Sequence, residues 1–241
     1  MGTFLTEDRS FEACGVHVKQ KILPSNLRPG KLLNTPNHRP LWVTIHNTDD
    51  VREAAGTNDA EQYARATFNG NMRDVFVHFY VDETDCWHLL PLNEIGYHAG
   101  DYSNRNGGNW TSIAIEIIEK NGTTADDKKA EDRGARLAAW LLHEYGLGID
   151  RLTTHQRWNG KNCPVFILPH WSAFVNQVKA YMAEIEAQEA KKKADTAAPA
   201  TPAPSGKHYR VQVGYYSVKT NAEAMQKKLK AAGFDAIIKE E

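Results

Sequence analysis

Three residues of this chain have the types and the setting of a metal site. His46 directly follows the apolar, β-branched run Leu41–Ile45 in LWVTIHNTDD, so it belongs at a strand end, where a side chain leaves the sheet and meets solvent. His155 and Cys163 lie eight residues apart in TTHQRWNGKNCP, a polar, glycine-containing loop with a turn that can bring them onto one ion. Zinc takes imidazole nitrogen and thiolate sulfur at ~2.0–2.3 Å, and a catalytic site keeps three protein ligands with a fourth position open. Two neutral imidazoles and one thiolate leave such a unit with a net positive charge that acidifies a bound water. On spacing alone a second reading stands beside this one, with Cys163 a small buried side chain before Pro164 and the histidines surface residues. Glu116 poses a similar choice. It interrupts the apolar run Ile113–Ile118, so it either faces solvent by alternation or sits in a site with a partner, because a lone buried charge is costly. Lys161, two residues before Cys163, reads by itself as a solvated loop lysine.

The elements that must position these residues follow from hydrophobic periodicity. Leu41–Ile45, Val75–Val81, Trp87–Leu92 and Ser112–Ile118 read as strands. A helix is expected from Asp126 to Tyr145, with Leu137, Trp140, Leu141 and Tyr145 on one face and Gly146 and Gly148 beyond its end. A second runs from about Trp171 to Gln188 on a stripe of Phe174, Val175, Val178, Tyr181, Met182 and Ile185, and a shorter one covers Asp59–Phe68. Strands interleaved with helices predict an α/β body with a central mixed β-sheet flanked by helices.

The composition breaks once. From Glu184 to Gly206 helix formers give way to Ala, Pro, Thr and Ser, and Pro199, Pro202 and Pro204 favour an extended linker. The reading is a main body at 1–187, a linker at 188–206 and a small β-α-β tail at 207–241. In the tail Tyr209, Val211 and Val213 alternate, Ala222, Met225 and Leu229 form a helix stripe, and Gly233 ends it. Lys and Arg number 29 against 30 Asp and Glu, so a chain-wide basic surface for nucleic acid is not expected. No apolar run approaches the ~20 residues of a membrane span, so no membrane partner is expected either. The first residues lack the basic start and apolar core of a secretory signal. Three widely spaced cysteines, Cys14, Cys86 and Cys163, do not suggest a disulfide framework.

Taken in order, HNT, YHAGD, SIAIEI and GLGIDRLTTHQRWNGKNCP resemble the zinc-dependent N-acetylmuramoyl-L-alanine amidases of the type 2 family. These are related to peptidoglycan recognition proteins and common among phage endolysins of Gram-positive hosts. The likeness spans roughly Leu41 to Pro164. It implies one zinc per chain on His46, His155 and Cys163, with Glu116 as the catalytic acid/base, Lys161 as a stabiliser of the oxyanion and His98 as a residue facing substrate. A tyrosine that some relatives carry just before the histidine of the VFVHF strand is Val77 here, which leaves the proton work to Glu116; His78 reads as structural. The implied substrate is peptidoglycan, cut between N-acetylmuramic acid and L-alanine. Cytoplasmic synthesis without a signal, followed by release to the wall, is then expected, as for a phage or prophage endolysin. A bacterial autolysin or a non-catalytic recognition module of the same fold are the alternatives; the non-catalytic relatives lose the thiolate, which Cys163 supplies here. The tail, through QVGYYS and GF, resembles half of a SPOR repeat, a module that binds glycan strands, and a half unit is expected to pair two chains as a homodimer.

Overall fold

A computed structural model describes residues 4–48, 59–197 and 213–239. The chain divides into two compact units, residues 1–195 and 196–241. In the first, seven strands form one mixed sheet: β1 (Arg9–Ala13), β2 (Val16–Gln20), β3 (Trp42–Asn47), β4 (Phe79–Val81), β5 (Cys86–His88), β6 (Ser112–Ile117) and β7 (Leu152–Thr154). Their spatial order is β1-β2-β5-β4-β6-β3-β7, with β4, β6, β3 and β7 mutually parallel.

Side-chain alternation sorts this sheet into two faces. Val43, Ile45, Ile113, Ile115 and Ile117 are fully buried in one cluster with Leu137 and Leu141 of α3 (Ala125–Tyr145) and Phe174 and Val178 of α5 (Trp171–Ala197). Tyr80, Trp87, Ala114 and Ile118 lie in a second cluster with Ala60 and Ala64 of α1 (Ala60–Phe68). Each fully buried Ile or Leu contributes ~1.5–3 kcal/mol, so this unit has a core independent of any metal. Helix α3 begins at a capping box between Thr124 and Asp127 and ends at Gly146 in the left-handed conformation. Gly134 lets it approach the sheet, since a Cβ there would stand 2.4 Å from Ile117 Cδ1.

The predicted helix stripes therefore face the core, and the mixed sheet is as expected. Several details differ. The Val75–Val81 run pairs as a strand only at Phe79–Val81, because Phe76 makes an isolated bridge to Tyr97. Helix α5 continues past Gln188, where the linker was expected to start, to Ala197; its Ala, Glu and Lys are strong helix formers and the first proline comes only at Pro199. The β1–β2 hairpin and β7 were not anticipated.

In the second unit, α6 (Lys219–Ala231) carries the expected stripe, with Ala222, Met225 and Leu229 half-buried and Gly233 at φ +85° beyond its end. Residues 213–218 and 234–239 form no strand, which corrects the β-α-β expectation for these segments; a strand requires a ladder partner and none forms among the described residues. Tyr209 and Val211 of the expected first strand lie outside the described residues. Among the described residues no helix is long and apolar enough to cross a membrane.

Candidate metal centre and active site

The candidate residues collect at the carboxyl ends of the parallel strands, where open α/β sheets bind ligands. His46 and Glu116 are register partners on β3 and β6, so their side chains leave the same face of the sheet. Glu116 thus projects away from the Ile113, Ile115 and Ile117 core face, on the same side as His46. Thr154 pairs with Ile45, and the next amide, His155 N–H, donates to Ile45 O at 3.2 Å. That step sets His155 beside His46, with ring centroids 4.8 Å apart. The short helix α4 (Gln156–Asn159) ends at Gly160 in the left-handed region, at φ +82°, where a glycine carries no strain. The chain then returns, with Gln156 N–H donating to Cys163 O at 3.0 Å.

The ligand atoms of His46, His155 and Cys163 lie within 4.8 Å of one another, and all three residues are buried. Cys163 Sγ is 3.8 Å from His46 Nδ1; a tetrahedral zinc with bonds of ~2.0–2.3 Å holds its ligands roughly 3.3–3.8 Å apart. His155 packs against the Ala99–Gly100 backbone, which orients its ring. Burial pushes the imidazoles down. His155 falls to about 4, through burial and then the charge of Lys161. His46 falls well below its ordinary value through burial, then His98, His155 and Lys161. Both rings are therefore uncharged at neutral pH, the form that binds a metal. Donor set, spacing and the uncharged imidazoles all fit zinc.

The structure brings every site residue named from the sequence to one cavity of ≈ 900 Å³, lined by His46, His98, Glu116, His155, Lys161 and Cys163. His98 has a second relation. Its Nδ1 is 3.0 Å from His46 Nε2, so it fixes the ring that turns Nδ1 toward Cys163. His98 Nε2 reaches Ser112 Oγ at 3.5 Å, which donates at 2.8 Å to the carbonyl of Gly108, the first residue of the short helix α2 (Gly108–Thr111). Thr44 Oγ1 donates to Ser112 Oγ and accepts from Trp158 Nε1 at 3.0 Å, tying the WNG turn to this network. His78 is an internal staple: Ala114 N–H donates to its Nδ1 at 3.1 Å, and its Nε2 meets Glu94 O at 3.0 Å.

Two supporting residues escaped the sequence reading. Asn47 Oδ1 accepts the amides of Phe166 and Ile167 at 3.2 and 3.3 Å, holding the segment after Cys163. Asn47 Nδ2 in turn donates to the buried Glu119. The available signal was a second acid closing the same apolar strand, in IAIEIIEK.

Comparison with known proteins agrees with this geometry. The N-acetylmuramoyl-L-alanine amidase profile matches residues 36–166, and the SPOR domain profile matches residues 173–240. The SPOR match starts inside α5, well before residue 207. The amidase CwlH of Bacillus subtilis (strain 168) is 34% identical over 167 residues, covering 68% of this chain and 62% of CwlH. XlyA of the same strain is 35% identical over 161 residues, covering 66% of this chain and 50% of XlyA. This chain thus spans about half to under two thirds of the length of these relatives. The solved catalytic domain of XlyA, 34% identical, superposes with a TM-score of 0.58 over 68% of this chain and 99% of that domain. The structure of PlyL, at 25% identity, gives 0.57 over 67% of this chain and 96% of that one.

Proposed function

The chain belongs to the N-acetylmuramoyl-L-alanine amidase family, and we propose that it hydrolyses peptidoglycan at the amide between the lactyl group of N-acetylmuramic acid and L-alanine, with one zinc held by His46, His155 and Cys163. The observation that carries this reading is the meeting of two uncharged imidazoles and a thiol whose ligand atoms lie within 4.8 Å of one another. When bound, zinc supplies a Lewis acid for the scissile carbonyl and lowers the pKa of water toward ~7. Cys163 gives up its proton on binding the metal. His98 accepts the Nε2–H of His46 and keeps that ring oriented, the support that metal-bound imidazoles ordinarily need.

Glu116, on the cavity wall beside His46, takes the proton of the attacking water and returns it to the leaving L-alanine amine. Lys161, whose charge is felt at both His155 and His46, shares the negative charge that grows on the carbonyl oxygen, an interaction made mainly in the transition state. The thiol at Cys163 favours a hydrolase over a recognition module that binds without cutting. The likeness to the catalytic domain of XlyA, and to a structure described as a mutant endolysin from Bacillus subtilis at 34% identity, supports endolysin-type action on the cell wall. For residues 173–240 the SPOR match supports binding to the glycan strands of the same polymer. The homodimer expected from a half repeat draws no support from that longer match. Metal analysis tests the site: one zinc per chain in the full-length protein, lost in Cys163→Ser with the fold retained, is the expected result. Full zinc content in the variant would exclude Cys163 as a ligand.

A further inference from the structure

A second recess opens off the active-site cavity. It is ≈ 410 Å³, and it shares Lys31 and Trp110 with that cavity while adding Asn34, His38 and Arg105. Its walls are fastened to each other. Asn34 N–H donates to Trp110 O at 2.9 Å, Asn34 Nδ2 donates to Arg105 O at 2.9 Å, and Arg105 Nη2 donates back to Asn34 Oδ1 at 3.0 Å. The Arg105 guanidinium sits 4.3 Å from the centre of the Trp110 ring, and Lys31 Nζ 5.9 Å from the same ring.

The charge of this recess has one sign. No Asp or Glu lines it, and among the described residues neither Lys31 nor Arg105 makes an ion pair. Two cations held over one indole without a counter-charge select an anion. On the proposed amide substrate the anions are not on the sugars, because the lactyl carboxyl is consumed in the scissile bond. They are on the stem peptide. The nearest is the α-carboxylate of the residue after L-alanine, which is free when that residue is a γ-linked glutamate and neutral when it is amidated. The recess adjoins the site through a shared wall, as a group one residue from the scissile amide requires.

We propose that Lys31 and Arg105, set over Trp110, form the subsite for this stem-peptide carboxylate and make the chain prefer acidic over amidated stems. The proposal rests on the amidase reading and adds which part of the substrate lies on this side of the site. Arginine's two parallel donors suit a carboxylate, whereas an amide presents one acceptor and a mismatched donor.

The test uses the zinc-loaded full chain and two disaccharide tripeptides that differ only in γ-linked glutamate against its α-amide. The expected result is a KM about tenfold lower for the acid, equivalent to about 1.4 kcal/mol. Lys31→Gln combined with Arg105→Gln should abolish the preference, bringing KM for the acid to that of the amide measured in the same variant. Equal KM for both substrates in the parent chain overturns the subsite and leaves the amidase reading standing. A variant that loses both substrates alike while its melting temperature is unchanged also overturns it, since the recess would then serve binding without reading charge. Release of no L-alanine-terminated peptide from either substrate overturns the amidase reading and the subsite with it.

Discussion

Replacing Glu119 by glutamine should stabilise the chain increasingly as pH rises and change little below about pH 4.5. Glu119 is 1% exposed; its Oε1 accepts from Asn47 and its Oε2 is buried with no hydrogen-bond partner. Burial, and then the charge of Glu131, push its carboxyl from an ordinary 4.5 up to about 9. The unfolded chain ionises this group near 4.5, so between that value and about 9 folding must take up a proton. The stability the neutral acid contributes is complete below 4.5 and is lost as pH rises toward 9. Each pH unit in that window removes at most about 1.4 kcal/mol, or about 4 kcal/mol from pH 6 to pH 9. Side-chain relaxation and water entry reduce this to on the order of 2 kcal/mol, a shift of roughly 4–8 °C for a chain of this size. Glutamine keeps the acceptor for Asn47 and offers Glu131 an N–H without ionising. Calorimetry of parent and Glu119→Gln, both zinc-loaded, at pH 6 and 9 should show the difference in melting temperature growing in favour of glutamine. A difference that does not change with pH refutes the account of a neutral Glu119.

Further outcomes follow from the same geometry. Cys163→Ser should abolish turnover and zinc retention while far-ultraviolet circular dichroism stays native, because the core faces of the sheet carry the fold; a collapse of the spectrum would make the metal a folding element. Glu116→Ala should keep one zinc per chain and lose at least ~100-fold in kcat, the lower range for general acid–base catalysis; a loss within about threefold excludes it as the proton carrier. Lys161→Met should lower kcat by ~100- to 1,000-fold, as for loss of an oxyanion stabiliser, with zinc content unchanged; a rise in KM alone would assign it to ground-state binding.

How much was legible depended on whether local pattern or tertiary contact determined each part. The strand before His46, the strand holding Glu116 and the stripes of α3 and α5 each carry enough periodic apolar residues to be read directly. The β1–β2 hairpin turns on Cys14 and Gly15 at φ +50° and +77°, a two-residue turn of the primed type that takes glycine readily but is not announced by a cysteine. Strand β7 has three residues, too few for any period, and exists because β3 offers it an edge. The His46, His155 and Cys163 cluster was legible from type and motif, but the contact between His98 and His46 joins residues 52 positions apart. Glu119 is signalled only as a second acid closing an apolar strand, and its contact with Asn47 exists because the fold sets β3 beside the end of β6.

In the proposed reaction this cavity uses a metal on His46, His155 and Cys163 to cut the amide between muramic acid and L-alanine. Mass spectrometry of purified peptidoglycan digested by the zinc-loaded chain, with a chelator-stripped sample alongside, tests it most directly. The account predicts stem peptides with a new L-alanine amino terminus and glycan strands with free lactyl groups, appearing only with zinc. New reducing ends on the glycan, cleavage within the peptide, or the same products from the stripped chain would contradict it.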